Sequence, residues 1–240
     1  MSSRTSKQER YFKKYFEKNN MLYALKSLEL INKYHQGLRR DGQEERSHLF
    51  EVLGMVISNY NDRMNASDLE KLIVVAGLHD LVEDYKDLIS FKDLKKMFPL
   101  DFILSIKKLT KWETFKKTEK DYNHYHNKIK KDKFAVIIKA IDRIHNLNSC
   151  SRVFSIKRKE EYIKETEKYI IPNLKHIRKE FKELYIPITN LIYSLKNHIE
   201  QLNYIMELEK KVEVVKELEK TMSIDNIAII IKNSDYNDFG

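Results

Sequence analysis

From Glu9 almost to the end of the chain, apolar residues recur every three or four positions and little interrupts them. Phe12, Phe16, Leu22, Leu25 and Leu28 form one such series, and Leu49, Val52, Leu53 and Val56 form the next. This spacing lays an apolar stripe along one face of a helix. Five glycines and three prolines in 240 residues are too few for a turn-rich sandwich or barrel, whereas the abundant Lys, Glu, Leu and Ile sustain or tolerate helix. The chain reads as all-α.

Residues 1–8 read as a frayed N-terminus and Glu9 to Tyr34 as helix. A polar break, "HQGLRRDGQEER", precedes a helix that resumes near His48. A second break ends at Ser67, which has capping-box spacing to Glu70 and predicts a helix start there. That helix runs through "LIVVAGLHDLVED". Shorter helices are predicted over Ser90 to Phe98, stopped by Pro99, and over Leu100 to Leu109. Residues 111–131 are charged and aromatic, and a strongly apolar helix follows from Lys133 to about Leu147. Beyond Arg152 the pattern stays helical, with Pro172 and Pro187 as punctuation and one long helix from Pro187 to about Lys220. Ser223 is placed to cap a last short helix. The expected organisation is a core over 9–152, a C-terminal helical extension over 153–232 and a loose tail over 233–240.

Hydrophobic residues make up 42% of the chain, enough for a sizeable core without covalent staples. The single cysteine, Cys150, excludes an intrachain disulfide framework and fits a reducing cytoplasm. The start "MSSRTSKQER" lacks the apolar segment of a signal peptide, and no apolar run approaches the ~20 residues of a membrane helix. A soluble cytoplasmic protein is expected. The formal net charge of +9 suits an anionic partner, a nucleotide before a nucleic acid, since lysines spread over helices mainly solvate them. Leu191, Leu195, Ile199, Leu202 and Met206 recur at near-heptad spacing, which suits packing onto the core or a homodimer seam.

The chemistry concentrates in three places. "GLHDLVED" brings His79, Asp80, Glu83 and Asp84 together directly after the most apolar run. A His-Asp dipeptide alone is a weak signal, and a solvated helix end would carry the same residues. Three carboxylates this close nevertheless repel one another, and a divalent cation or a proton relieves that. "IKAIDRIHN" puts Asp142 in phase with Ile138 and Ile141, with Asn146 one turn on. An inward carboxylate calls for a partner, either a ligated metal or a neighbouring cation such as Arg143. His48 opens a helix just after a basic loop. Taken together, His48, His79, Asp80 and Asp142 make a mixed N/O ligand set suited to a first-row divalent ion. Glu83 and Asp84 are placed to orient a water or move its proton. Arg39 and Arg40 suit phosphate contacts, and Asn146 shares a face with Asp142. Tyr122 and Lys128 share a helical face with Tyr125 that could line a nucleotide pocket by stacking and charge, although an aromatic core with solvated lysines gives the same pattern.

At these residues the chain resembles the HD-domain metal-dependent phosphohydrolases, and among them the (p)ppGpp hydrolase domain of RelA/SpoT-type enzymes and the free-standing small alarmone hydrolases. The matching stretches are "HQGLRRDG", "LHDLVED" and "IKAIDRIHNL", and the resemblance spans roughly residues 20–152. It implies an HD-domain helical bundle with added C-terminal helices. It implies a metal, Mn²⁺ before Fe²⁺, Zn²⁺ or Mg²⁺, held by His48, His79, Asp80 and Asp142. Glu83 and Asp84 become the catalytic acids, Arg39 and Arg40 contact phosphates or base, and Asn146 and Ser149 contact the nucleoside. The implied reaction is metal-dependent removal of a 3′-pyrophosphate. Departures cluster near the nucleoside side: Asp41 replaces the family's Ser, Gln43-Glu44-Glu45 replaces Glu-Pro-Tyr, Leu49 replaces Pro, and Asn148 stands where Arg often does. They motivate a second reading, an HD nucleotidase or phosphodiesterase on another nucleotide. The charge motivates a third, a non-catalytic module that holds nucleic acid or a partner.

Overall fold

A computed structural model describes residues 4–39 and 42–221 of the chain. Arg40, Asp41, the expected helix after Ser223 and the tail over 233–240 lie outside the described residues. In chain order the helices are α1 (Arg4–Lys18), α2 (Leu22–Tyr34), α3 (Glu45–Tyr60), α4 (Ala66–Leu78), α5 (Leu81–Asp84), α6 (Phe91–Leu94), α7 (Leu100–Leu109), α8 (Glu119–Lys130), α9 (Lys133–Val153), α10 (Ile156–Glu165), α11 (Ile171–Glu180) and α12 (Tyr185–Thr221). A π-helical turn, Thr166–Ile170, joins α10 to α11, and a 3₁₀ turn, Lys182–Leu184, leads into α12. Among the described residues there is no strand, only one isolated bridge between Leu38 and Glu44. None of these helices is long and apolar enough to cross a membrane. The chain divides into two units, Met1–His198 and Ile199–Gly240. In the second, the described part is the end of α12, with Glu207 and Lys211 paired at 3.2 Å along its surface.

The first unit is organised around α4. Every residue of α4 from Leu72 to Leu78 is buried. A helix that is apolar all round has no solvent face to offer, and α4 is enclosed by α2, α3, α7 and α9. At Gly77 an added Cβ would lie 3.0 Å from Ile31 Cδ1, so α2 and α4 approach closely there. Each fully buried Leu, Ile or Val contributes about 1.5–3 kcal/mol relative to exposure. That apolar length lets α4 end in a crowd of ionisable groups and still stay in place. α9 is similarly buried from Phe134 to Ile138, with Ala140 and Ile141 beyond.

Several boundaries differ from the sequence reading. Helix begins at Arg4, inside the segment expected to fray, because Thr5 is buried and Arg4 reaches Glu51 at 3.2 Å. The expected helix over Glu9 to Tyr34 is two helices: Asn20 takes a left-handed φ of 54°, which a short polar side chain tolerates. α8 carries a Thr118–Asp121 capping box within a stretch read only as charged and aromatic. The start of α4 is capped by Asn65, whose side chain accepts from the Asp68 N–H, and not by Ser67. Asn65→Ala is therefore expected to cost about 1 kcal/mol, a melting shift of roughly 2–4 °C in a chain of this size. Ser67→Ala should leave the melting temperature nearly unchanged, and calorimetry on the pair would reverse the assignment if Ser67→Ala were the costlier change.

Candidate metal centre and cleft

α3, α4 and α9 deliver the cluster. His48 lies in the first turn of α3, His79 caps the C-terminus of α4, and Asp142 sits near the middle of α9. "LHDLVED" is not one continuous helix: α4 ends at Leu78 and α5 begins at Leu81, with His79 and Asp80 at the junction. Consecutive residues on a regular helix point about 100° apart. At the junction, where both residues keep right-handed helical angles, His79 Nε2 and Asp80 Oδ2 approach to 3.0 Å. His48 Nε2 stands 3.4 Å from Asp142 Oδ1, and His79 Nε2 stands 3.8 Å from the same oxygen. One ligand-type atom from each of the four residues lies within 4.8 Å of all the others.

These atoms fit a divalent ion. First-row ions bind imidazole nitrogen and carboxylate oxygen at about 2.0–2.2 Å, which places neighbouring ligand atoms roughly 3–3.5 Å apart; two of the separations here, 3.0 and 3.4 Å, fall in that range and a third, 3.8 Å, lies just beyond it. The Nδ1–H of His79 donates to the Ala76 carbonyl at 2.8 Å, which turns Nε2 toward the aspartates. That Nε2 is buried and makes no hydrogen bond of good geometry. The charges agree. Burial depresses the His79 imidazole, but Asp80 and Asp142 override burial and hold it well above its usual range. Burial likewise opposes ionisation of Asp142, yet Lys139, His48 and His79 keep its carboxyl well below the usual range. Asp80 is held down at about 2, against burial, by His79. The two aspartates thus favour positive charge at His79 Nε2, whether a proton or a cation that replaces it. His48, where burial outweighs Asp142, is pushed down to about 4 and is neutral near pH 7.

A cavity of about 530 Å³ opens over the cluster. Arg39, Asn146 and Ser149 line it together with Glu83 and Asp84. Arg39 Nη2 donates to Asn146 Oδ1 at 2.9 Å, and Asn146 Nδ2 donates to Asp142 Oδ1 at 2.7 Å. The loop bearing Arg39 is tied by Arg39 N–H to Gln43 O at 2.8 Å and turns through Gly42, whose φ of +80° suits glycine. Glu83 is held from the other side, its carboxylate accepting the Lys111 backbone N–H at 2.9 Å. Asp84 keeps an exposed edge, but loss of water in the cleft, then the charges of Asp80 and Glu83, push its carboxyl up to about 7.

A second cavity, about 720 Å³, continues from the first and shares Glu83, Asp142, Asn146, Arg158 and Tyr162 with it. Lys86, Lys111, Lys117, Lys139 and Arg143 add positive charge to its lining, and Trp112, Phe115 and Tyr122 add aromatic surface. Tyr122 therefore lies in the cleft. Lys128 does not line either cavity: its ammonium donates to the carbonyls of Lys107 and Thr110 and sits 5.7 Å from the Trp112 ring centroid. Tyr125 is buried, with its hydroxyl on the Leu109 carbonyl. Half of the aromatic and basic face of α8 is thus structural.

His35, which in the sequence suits packing or capping and not metal ligation, is buried beside Tyr85 and 3.8 Å from Glu45. Other residues around the cleft went unread in the sequence. Arg158 and Tyr162 reach both cavities from α10. His145 contacts the cluster from behind and Glu51 contacts His145, each three residues beyond a ligand candidate. That i, i+3 spacing was the available signal.

No protein-family model matches the chain. Among solved structures it is similar to one described as a metazoan ortholog of SpoT that hydrolyzes ppGpp and plays a role in starvation responses. The two are 21% identical, with a TM-score of 0.57, over 75% of this chain and 94% of that one. The chain shares the all-helical fold of that protein. Within this fold the His/Asp cluster is a site that could hold a divalent metal.

Proposed function

We propose that the protein is a metal-dependent nucleotide phosphohydrolase, and that its substrate is a (p)ppGpp-type alarmone from which it removes the 3′-pyrophosphate. The observation that carries this reading is the His48, His79, Asp80 and Asp142 cluster on the floor of a cleft that also holds Glu83, Asp84 and Arg39. His48, His79, Asp80 and Asp142 would hold the ion, which when bound supplies Lewis-acid polarisation of a phosphoryl oxygen and acidifies water. Asp84, raised toward neutrality, is suited to take the proton of an attacking water and return one to the leaving oxygen. Glu83, fixed by Lys111, orients that water. Arg39 pairs with a phosphate or packs on the base, and its bond to Asn146 preorganises it. The second cavity mixes lysine and arginine with Glu83, Glu113, Asp142 and Glu165, which pair with Lys111, Lys86, Lys139 and Arg143, so it supports a polar substrate that extends beyond the cluster.

Glu45 favours a second reading. It lines the first cavity, accepts from the Tyr85 hydroxyl at 2.5 Å, and lies in the segment that departs from the family loop. An acid there suits a nucleotide other than the guanosine alarmones. One assay separates the readings: purified protein with Mn²⁺, offered ppGpp and a panel of nucleoside mono- and triphosphates and cyclic nucleotides. Pyrophosphate from ppGpp, lost with chelator, is the expected result. Glu83→Gln should keep the ion and slow turnover by roughly 100-fold or more, in the range of a lost proton-transfer or orienting group. Turnover of a different nucleotide alone moves the substrate to the second reading, and turnover of none with no metal bound removes the hydrolase reading altogether.

A further inference from the structure

His145 touches the cluster without facing the cleft, and Glu51 stands behind His145. His145 Nδ1 lies 2.9 Å from His48 Nδ1, and His145 Nε2 lies 2.9 Å from Glu51 Oε2. The other carboxylate oxygen of Glu51 is met by Arg4 of α1 at 3.2 Å. The spacing is reciprocal: α3 carries His48 and, three residues on, Glu51, while α9 carries Asp142 and, three residues on, His145. α9 supplies His145, which supports the α3 ligand candidate His48, and α3 supplies Glu51, which anchors His145 in turn.

The donors and acceptors in this chain are constrained. An ionised carboxylate only accepts, so the hydrogen between His145 and Glu51 sits on His145 Nε2. A histidine that gives Nε2 to a metal keeps its one hydrogen on Nδ1, and His145 Nδ1 stands 2.9 Å from His48 Nδ1, placed to accept it. His48 Nε2 is left as a lone pair pointing at Asp142 Oδ1 and His79. The ring of His79 is anchored by a different route, its Nδ1–H donating to the Ala76 carbonyl.

We propose that Glu51 and His145 are positioning residues that fix the tautomer and ring orientation of His48, so that its Nε2 offers a lone pair to a divalent cation. This inference rests on the metal reading of the cluster. Metal-bound histidines generally have their second nitrogen anchored by a carboxylate, carbonyl or similar partner, and loss of that partner typically costs 10–100-fold in metal affinity. Here the anchor is a two-residue relay that ends in a carboxylate and is clamped from outside by Arg4.

The test uses full-length protein stripped of metal, with Mn²⁺ alone as the probe. Calorimetric titration should show His145→Phe, which keeps a ring and removes both hydrogen bonds, binding Mn²⁺ roughly 10–100-fold more weakly than wild type. His145→Gln should recover most of the loss, since its amide can accept from His48 and donate to Glu51. Glu51→Ala, at a part-exposed position, should weaken binding in the same direction, and Glu51→Gln should retain most of the affinity. In ¹⁵N spectra of the metal-free protein, His48 should carry its hydrogen on Nδ1 in wild type and shift toward a mixture in His145→Phe. Wild-type binding together with unchanged affinity and tautomer in His145→Phe and Glu51→Ala overturns the relay alone. A wild type that binds no Mn²⁺ overturns the metal reading and the relay with it.

Discussion

Asp142→Asn is expected to abolish the metal response of the protein and lower phosphohydrolase turnover more than the roughly 100-fold ceiling for loss of an outer-sphere partner. Asp142 is 5% exposed and is the meeting point of the site. It accepts from Asn146 at 2.7 Å, faces His48 at 3.4 Å and His79 at 3.8 Å, and pairs with Lys139 at 3.3 Å. Asparagine keeps the volume but removes the charge, so an incoming cation meets two neutral or cationic histidines and one remaining carboxylate. The loss can be read without substrate. A ligand at 100 times its Kd stabilises a protein by about 2.7 kcal/mol, or roughly 5–10 °C in melting temperature for a chain of this size. Wild type should show that shift on addition of Mn²⁺, and Asp142→Asn should not. A variant that keeps both the shift and the activity would remove Asp142 from the proposed ligand set.

How legible this site was in the sequence differs from residue to residue. The helical class was open to reading because period 3–4 recurs over long stretches, as at Leu49, Val52, Leu53 and Val56, all buried on α3. His48, His79, Asp80 and Asp142 were visible as three separate signals, and the structure brings them within 4.8 Å. The His79–Asp80 junction was hidden. Both residues tolerate helix and keep right-handed helical angles, so no local signal marks the end of α4 there. Lys128 misled because a lysine one turn from a tyrosine looks the same whether it faces a ligand or two helix-end carbonyls. Glu51 and His145 were signalled only by lying three residues beyond His48 and Asp142; their role depends on α3 packing against α9. The pairing of Arg143 with Glu165 spans 22 positions and no local rule points to it, although Arg143 had been weighed as a partner for its neighbour Asp142.

That pair is the basis of the largest stability effect expected in the chain. Arg143 Nη2 meets Glu165 Oε2 at 2.6 Å, with side-chain exposures of 4% and 12%. Glu165 also receives His126 Nε2 at 3.1 Å, and the Arg143 guanidinium lies 4.2 Å from the Tyr162 ring centroid. Glu165→Ala leaves a buried guanidinium without its anion, which costs about 3–5 kcal/mol, or roughly 6–20 °C in melting temperature. The pair need not be a large net stabiliser, since water is lost from both ions. Arg143→Met with Glu165→Leu should therefore recover most of the loss, whereas each single change should not. The pH dependence separates charge from packing. Burial alone would raise the Glu165 carboxyl, but Arg143, His126 and Lys139 drive it far below the usual carboxylate range. A depressed folded pKa means that the stabilisation is complete above the unfolded glutamate value of about 4.3 and is lost as pH falls from there toward the folded pKa. The melting-temperature gap between wild type and Glu165→Gln should accordingly be constant from neutrality to about pH 5 and should narrow on further acidification. A gap that stays constant down to pH 2 would assign the effect to packing against Tyr162 and His126, since the ion pair would no longer be contributing to it.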